Sequence, residues 1–428
     1  MSARSSRAWD ASSISAAERM NQLTEEVIGM TQARAPNVDA WTVDLLERLL
    51  SVEGTTGRER AIGAEIVDIL TELGVPKSAM RFDGAERRIP LPTEDGNLVV
   101  TLEGDATLPR RLFMAHRDTV PLCAGARPQR DGDRIVPAGD TALGGDDRAG
   151  VACLLNMVAE LTRRGLRRPP LTLVFTVREE SGLWGARGVD REMLGAPAYG
   201  FNVDGPSPAR LFIGAVGARH WTADIVGRAA HAGLHPERGI SASLVASVGI
   251  ATAHHRGWWG RVERPGAGRG TTNVGLLAGR GGGAVGGATN VVTDYALVEG
   301  EARSHDAAFA ARIVAAWRRA FDHAVRVVRS DDGTGATLEF RSDVLYDPFR
   351  LDPADEVVAF AVERSRMAGL DPTLAIADGG LDANWMVRHG IPTVTFGVGQ
   401  RNVHTRDEYV DVPDFLTACR LAVALATA

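Results

Sequence analysis

The chain has 428 residues, of which 44% are apolar and 24% charged, the balance of a soluble globular protein rather than a disordered one. A net charge of −6 argues against nucleic acid or an anionic membrane surface as a partner. Three cysteines, Cys123, Cys153 and Cys419, cannot build a disulfide framework and fit a reducing compartment.

At roughly 100–200 residues per domain, the length suggests about two to four domains. No apolar run reaches the roughly eighteen residues of a membrane span, and the N-terminus lacks the apolar stretch of a secretory signal. A cytoplasmic location is expected.

Residues 1–36 are polar and rich in Ser and Arg; they read as an extension outside the main fold, with a short helix around 15–30. Helical periodicity follows at 40–51 and 58–73. Short apolar runs bounded by turn residues predict strands at 98–102, 111–115, 171–177 and 200–203, with a helix over 147–165. This alternation predicts α/β layers on a mainly parallel sheet.

After about residue 212 the pattern becomes strand, helix (241–255), strand (290–303), helix (306–326) and strand (337–345), in the order of a small open-faced α+β sandwich. A helix at 354–368, a strand at 392–397 and a helix at 413–426 return to the first style. The reading is one α/β domain, 37–211 plus 346–428, with a second domain over 212–345 inserted into it.

Candidate chemical groups fall at the ends of these elements. His116 and Asp118 follow the strand RLFMA, Glu179 and Glu180 follow LTLVFTV, and Asp204 follows GFNV. Asp146 begins the 147–165 helix, and His404 follows the last strand. Ligands of open α/β sheets bind beyond the carboxyl ends of the strands, so these positions share one crevice. Two imidazoles and several carboxylates at one rim are a donor set that suits zinc. Each element alone has a plainer reading: a surface HxD pair, a solvated Glu–Glu run, an Asp that merely caps a helix. Their ordered recurrence is what favours a metal centre.

The segments MAHRDTV, LGGDDRAGVA, EESG, NVDG, AAHAG and GVGQRNVHT resemble those of the dizinc hydrolases that include peptidase T, carboxypeptidase G and the aminoacylases. GLDANW and NVHTRDEY place the chain nearer the peptidase T branch. The resemblance implies a zinc-peptidase catalytic domain with an inserted lid and dimerisation domain. It also implies two Zn2+ per subunit, with Co2+ or Mn2+ as substitutes, and a short peptide or N-acylated amino acid as substrate.

Carried over by position, Asp146 would bridge the ions. His116 and Asp204 would complete one site, Glu180 and His404 the other. Asp118 would accept a hydrogen bond from His116, and Glu179 would be the general base. Asp147 is expected not to ligate, and Arg148 stands where relatives have Lys. His231 would reach an active site across a homodimer interface, Asn290 and Arg303 would hold the substrate's carbonyl or carboxylate, and Asp382 its α-amino group. Hydrolysis of short peptides, as a tripeptide aminopeptidase, is the activity implied. Removal of an N-acyl or N-carbamoyl group is the alternative, and a non-catalytic binding relative is a third. No GxSxG occurs, which disfavours a serine hydrolase.

Other features invite plain readings. The Gly-rich 279–287 reads as a turn between strands, because no strand is predicted before it and no helix after it. Cys123 reads as a buried apolar side chain, and His254–His255 with Trp258–Trp259 as packing at a helix end.

Overall fold

A computed structural model describes residues 36–428. Only the last residue of the 1–36 extension is included, and the helix expected around 15–30 lies outside the described residues. No described helix is long and apolar enough to cross a membrane.

The larger body is built on a nine-stranded sheet. Across it run Met80–Phe82, Leu98–Leu102, Leu171–Thr176, Arg111–His116, Tyr199–Val203, Thr393–Phe396, Arg210–Ala215 and Phe349–Arg350, with Thr373–Ala377 also paired to Arg210–Ala215. The four central strands, from Leu171–Thr176 to Thr393–Phe396, are mutually parallel. The flanks are antiparallel except where Thr373–Ala377 pairs parallel with Arg210–Ala215, so the sheet is mixed, and its continuous parallel stretch is where the candidate residues sit.

The central strands are buried along their whole length, which explains why they read as unbroken apolar runs rather than alternating ones. Gly145–Arg164 packs on this sheet, and Gly150 is required there: a Cβ would strike the carbonyl of Val203 and the carboxylate of Asp147. A four-stranded sheet (Gln400–Arg401, Tyr409–Asp411, Arg134–Pro137, Pro128–Asp131) flanks the start of that helix.

The inserted body has a five-stranded antiparallel sheet in the order Gly260–Arg264, Gly268–Ala278, Tyr295–Ser304, Gly217–Val226, Thr337–Tyr346. Helices Ala242–His255 and Ala307–Val327 cover one face. Ser241 and Asp306 start them by accepting from Leu244 N and from Ala308 and Phe309 N, each cap worth about 1 kcal/mol. Trp221 stacks on Trp317 with ring centroids 4.7 Å apart, and both are fully buried; truncating either would cost about 3–5 kcal/mol.

Three expectations change. Arg210–Ala215 lies wholly in the large sheet, so the chain enters the inserted body near 216 rather than 212. The hairpin Gly260–Arg264 with Gly268–Ala278 was not predicted: nearly all its side chains are half-buried or exposed, so it carries no apolar alternation. A strand therefore does precede the Gly-rich 279–287, which turns through Arg280–Gly282 before the chain returns at Tyr295. The helix-end reading of Trp258–Trp259 matches the packing, since both rings lie against the inserted core.

Candidate metal centre

The parallel strands deliver their terminal residues to one rim. His116 ends Arg111–His116, Asp204 follows Tyr199–Val203, and Glu179–Glu180 come shortly after Leu171–Thr176. Asp146 stands at the entry to Gly145–Arg164, where Asp146 and Asp147 are non-helical and joined by a cis peptide. His404 is held at a φ of 64°, a left-handed conformation uncommon for a side chain of its size.

His116 Nε2 lies 3.0 Å from Asp146 Oδ1 and 3.9 Å from Glu179 Oε2. His404 Nε2 lies 3.4 Å from Asp146 Oδ2 and 2.9 Å from Glu180 Oε2. Asp146 thus faces both imidazoles, one through each oxygen. Ligand atoms of His116, Asp146 and Glu180 lie within 4.8 Å of one another, as do those of His116, Asp147 and Asp204. The structure therefore brings together the five residues expected as ligands, with Glu179 beside them.

Two details differ from expectation. His116 Nδ1 meets the backbone carbonyl of Asp118 at 3.1 Å, while the Asp118 carboxylate stands at 3.6 Å. That carboxylate accepts the amides of Glu179 and Glu180, at 3.0 and 3.2 Å. Asp118 orients the imidazole mainly through its main chain and fixes the Glu–Glu turn with its side chain. Asp147 does point into the site, contrary to the argument from adjacent helix positions, because the residues there are not helical. Its oxygens are already occupied: they accept from His116 N, Gly150 N and Gln400 Nε2, which makes it a brace rather than a free donor to a cation.

Charge in the cluster is unbalanced. Burial, then Asp146, push Glu180 up to about 7 and Asp204 up to about 8. Burial also holds Glu179 well above the usual carboxylate range, against the pull of His116 and with Asp382, Glu180 and Asp204 adding to it. Burial disfavours charge on His116, yet Glu179, Asp118 and Asp146 together carry it well above its ordinary value. Hydrogen bonds to Asp146 and Glu180 raise His404 to about 10. Asp146 stays low, because its hydrogen bonds to His116 and His404 outweigh burial, and Asp118 is lowered too, by His116 and the amides of Glu179 and Glu180 against burial. A divalent cation among these oxygens and nitrogens would displace the protons held on the raised groups.

Sequence reasoning missed Glu408 and Gln400. Glu408 is 1% exposed and accepts the amides of Leu143, Gly144 and Asp146 at 2.9–3.1 Å. It holds the loop that presents Asp146. In NVHTRDEY it reads as one more polar residue, and only its burial reveals the role.

The remaining candidates are dispersed. Asp382 is drawn in but 1% exposed, with Oδ2 accepting from Thr176 Oγ1, so it does not present an open carboxylate to a substrate amine. His231 and Asn290 sit together on the inserted body: Ala232 N donates to the Asn290 carbonyl, and His231 Nδ1 accepts from Gly233 and Leu234 N on its own exposed turn. Arg303 forms a fork with Glu301 at 2.8 and 3.0 Å and lies in the field of Glu179. Arg148 turns to the carbonyl of Gly54 at 3.1 Å. Burial, then Glu408, push the Cys123 thiol up to about 12, so it is no nucleophile at neutral pH.

Comparison with known proteins agrees with this geometry. The model of peptidase family M20/M25/M40 matches residues 112–428. The uncharacterized protein YqjE of Bacillus subtilis is 32% identical over 331 residues, 77% of this chain and 84% of its own. A tripeptidase of Staphylococcus aureus superposes with a TM-score of 0.77 at 27% identity, over 91% of this chain and 97% of its own. Aminopeptidase PepT of Bacillus cereus does so with a TM-score of 0.73 at 30% identity, over 91% and 98%.

Proposed function

This chain belongs to peptidase family M20/M25/M40, the metal-dependent peptidases, and from that premise we propose that it is a tripeptide aminopeptidase of the peptidase T kind. The observation that carries the proposal is the meeting of His116, Asp146, Glu180, Asp204 and His404 at one rim, with Glu179 buried beside His116. The likeness to a tripeptidase and to PepT over nine-tenths of the chain supports the substrate class.

The donor set fits two zinc ions, with Co2+ or Mn2+ as substitutes: imidazole and carboxylate, no thiolate, and more negative groups than the two imidazoles can balance. When bound, such a pair supplies Lewis-acid activation of water and of the scissile carbonyl. Asp146 faces both halves of the site, His116 and Asp204 one half, Glu180 and His404 the other. Glu179 is placed to take a proton from the attacking water and return it to the leaving amine. Its raised proton affinity suits that exchange near neutral pH. Asp118 and Glu408 hold the loops that aim these groups, a role in which outer contacts are worth about 10–100-fold.

The inserted body would supply a further donor through His231. Its Nδ1 accepts two amides, which leaves Nε2–H as a donor for the oxyanion of another subunit in a homodimer. Asn290, beside it, would hold the substrate's carbonyl. Three buried cysteines, none of them in a disulfide among the described residues, fit a reducing, cytoplasmic setting.

One observation favours a second reading. Asp382, the group for a free α-amine, is enclosed, and an amidohydrolase acting on N-acyl or N-carbamoyl amino acids needs no such group. Tripeptides and their N-acetylated forms, compared on the zinc-loaded enzyme, separate the two. Faster turnover of the free tripeptides is expected, and faster turnover of the acetylated series would replace the aminopeptidase assignment.

A further inference from the structure

On the open face of the inserted sheet, opposite its helices, cross-strand register aligns Arg261, Thr271 and Arg303 in one row, with Arg269 two residues along from Thr271. Side chains two apart on a strand, or opposite one another across strands, share a face. Together with His305 and Asp378, these residues line a cavity of about 220 Å³ where the inserted body meets the large one. That is room for a side chain, not for a peptide.

The charge there is mostly paired, with one exception. Glu263 takes part of Arg261 at 2.7 Å, Glu301 engages Arg303, and Asp378 lies 2.9 Å from His305. Arg269 makes no ion pair among the described residues. Arg303 lies on the side of this pocket toward the reaction site: burial disfavours its charge, while Tyr346, Glu301 and, least of these, Glu179 favour it. A peptide ending in a neutral residue brings a single carboxylate to this cluster, where Arg269 is the guanidinium without a carboxylate partner among the described residues. One ending in Glu or Asp brings two.

We propose that Arg261 and Arg269 form an anion subsite beside Arg303 that selects short peptides with an acidic C-terminal residue. The inference rests on the peptidase reading and names the substrate class within it. Guanidiniums suit the task because their planar forks bind carboxylates through two parallel hydrogen bonds.

The test is an isosteric pair, Met-Gly-Glu and Met-Gly-Gln, assayed on the zinc-loaded full-length enzyme. The wild type is expected to favour the Glu peptide about 5- to 30-fold in kcat/KM, mostly through KM. The preference should shrink in about 0.5 M salt as screening sets in. In the double variant Arg261→Met, Arg269→Met the Glu/Gln ratio should fall below about two, while Arg269→Lys should keep part of it. The ratio is internal to each variant, so a general loss of activity does not mimic the effect.

A wild-type ratio near one, or a ratio that survives in the double variant, overturns the proposal. Calorimetric binding of both peptides to zinc-loaded Glu179→Gln separates the two readings. Tighter binding of the Glu peptide without turnover of either in the wild type would sink the peptidase reading and keep the subsite. Equal turnover of both would do the reverse.

Discussion

Asp118 and Arg269 carry charge under opposite conditions. Asp118 is fully buried and its carboxylate is taken up by two backbone amides; Arg269 stands exposed on the open face of the inserted sheet, with no ion pair among the described residues. The same contrast separates the two bodies. The rim of the large sheet is assembled in advance, the carboxylates of Asp118, Asp146, Asp147, Glu180 and Glu408 fixed by amides or imidazoles, whereas His231, Asn290 and the arginine row look outward. A buried polar group must find its partners within the fold or destabilise it. An exposed one is satisfied by water and is free to await a substrate or a second subunit. On the proposed reading, the rim would carry out the chemistry and the inserted body would select what is admitted to it.

The largest expected effect tests the rim. Glu179→Gln should lower kcat about 10²–10⁴-fold while metal content, read by elemental analysis, stays near that of the wild type. Wild-type turnover in this variant would remove Glu179 as the base. Metal content then distinguishes the ligands. His116→Ala, which removes a buried donor, should empty the site more completely than His404→Ala, whose half-exposed imidazole meets Asp146 and Glu180. Equal depletion in the two variants would break that ordering.

Glu408→Ala measures the support beneath the rim. It leaves three amides without their acceptor and should cost about 1–3 kcal/mol in denaturant unfolding, with kcat falling as Asp146 loosens. A variant as stable as the wild type would mean that water replaces the carboxylate. By contrast, His231→Ala should leave unfolding unchanged and lower turnover. In mixed dimers, activity should return when it is paired with Glu179→Gln subunits, each supplying what the other lacks. No recovery on mixing would place His231 outside the reaction.

The smallest effect concerns pH. In the metal-free protein Glu180 and Asp204 titrate at about 7 and 8, above the roughly 4 of an unfolded carboxyl. Folded values above unfolded ones give stability that is complete below about pH 4 and lost as pH rises through 7 and 8. Thermal melts of the metal-free protein should therefore fall in Tm from about pH 6 to 8.5. Zinc affinity should rise over the same interval as the ligands shed protons, so the loaded protein should not follow that decline. Parallel melting curves with and without zinc would contradict the electrostatics of the site.

Much of the rim was legible in the sequence because it obeys local rules. An apolar run followed by His, Glu–Glu or Asp marks a buried parallel strand and the residue at its mouth, and four such runs fell within a residue or two of the observed strands. The hairpin from Gly260 to Ala278 left no such trace, since neither of its faces is consistently apolar. The α/β alternation and the inserted body followed from periodicity, which chain-local physics enforces, and the candidate site residues from their places at element ends together with the resemblance to the dizinc hydrolases. Tertiary structure alone decided that Asp118 orients His116 through its carbonyl, that Glu408 holds the Asp146 loop, that Asp382 is enclosed and that three arginines share one pocket. Those facts depend on burial and on partners tens to hundreds of residues away, which only the packed chain brings within reach.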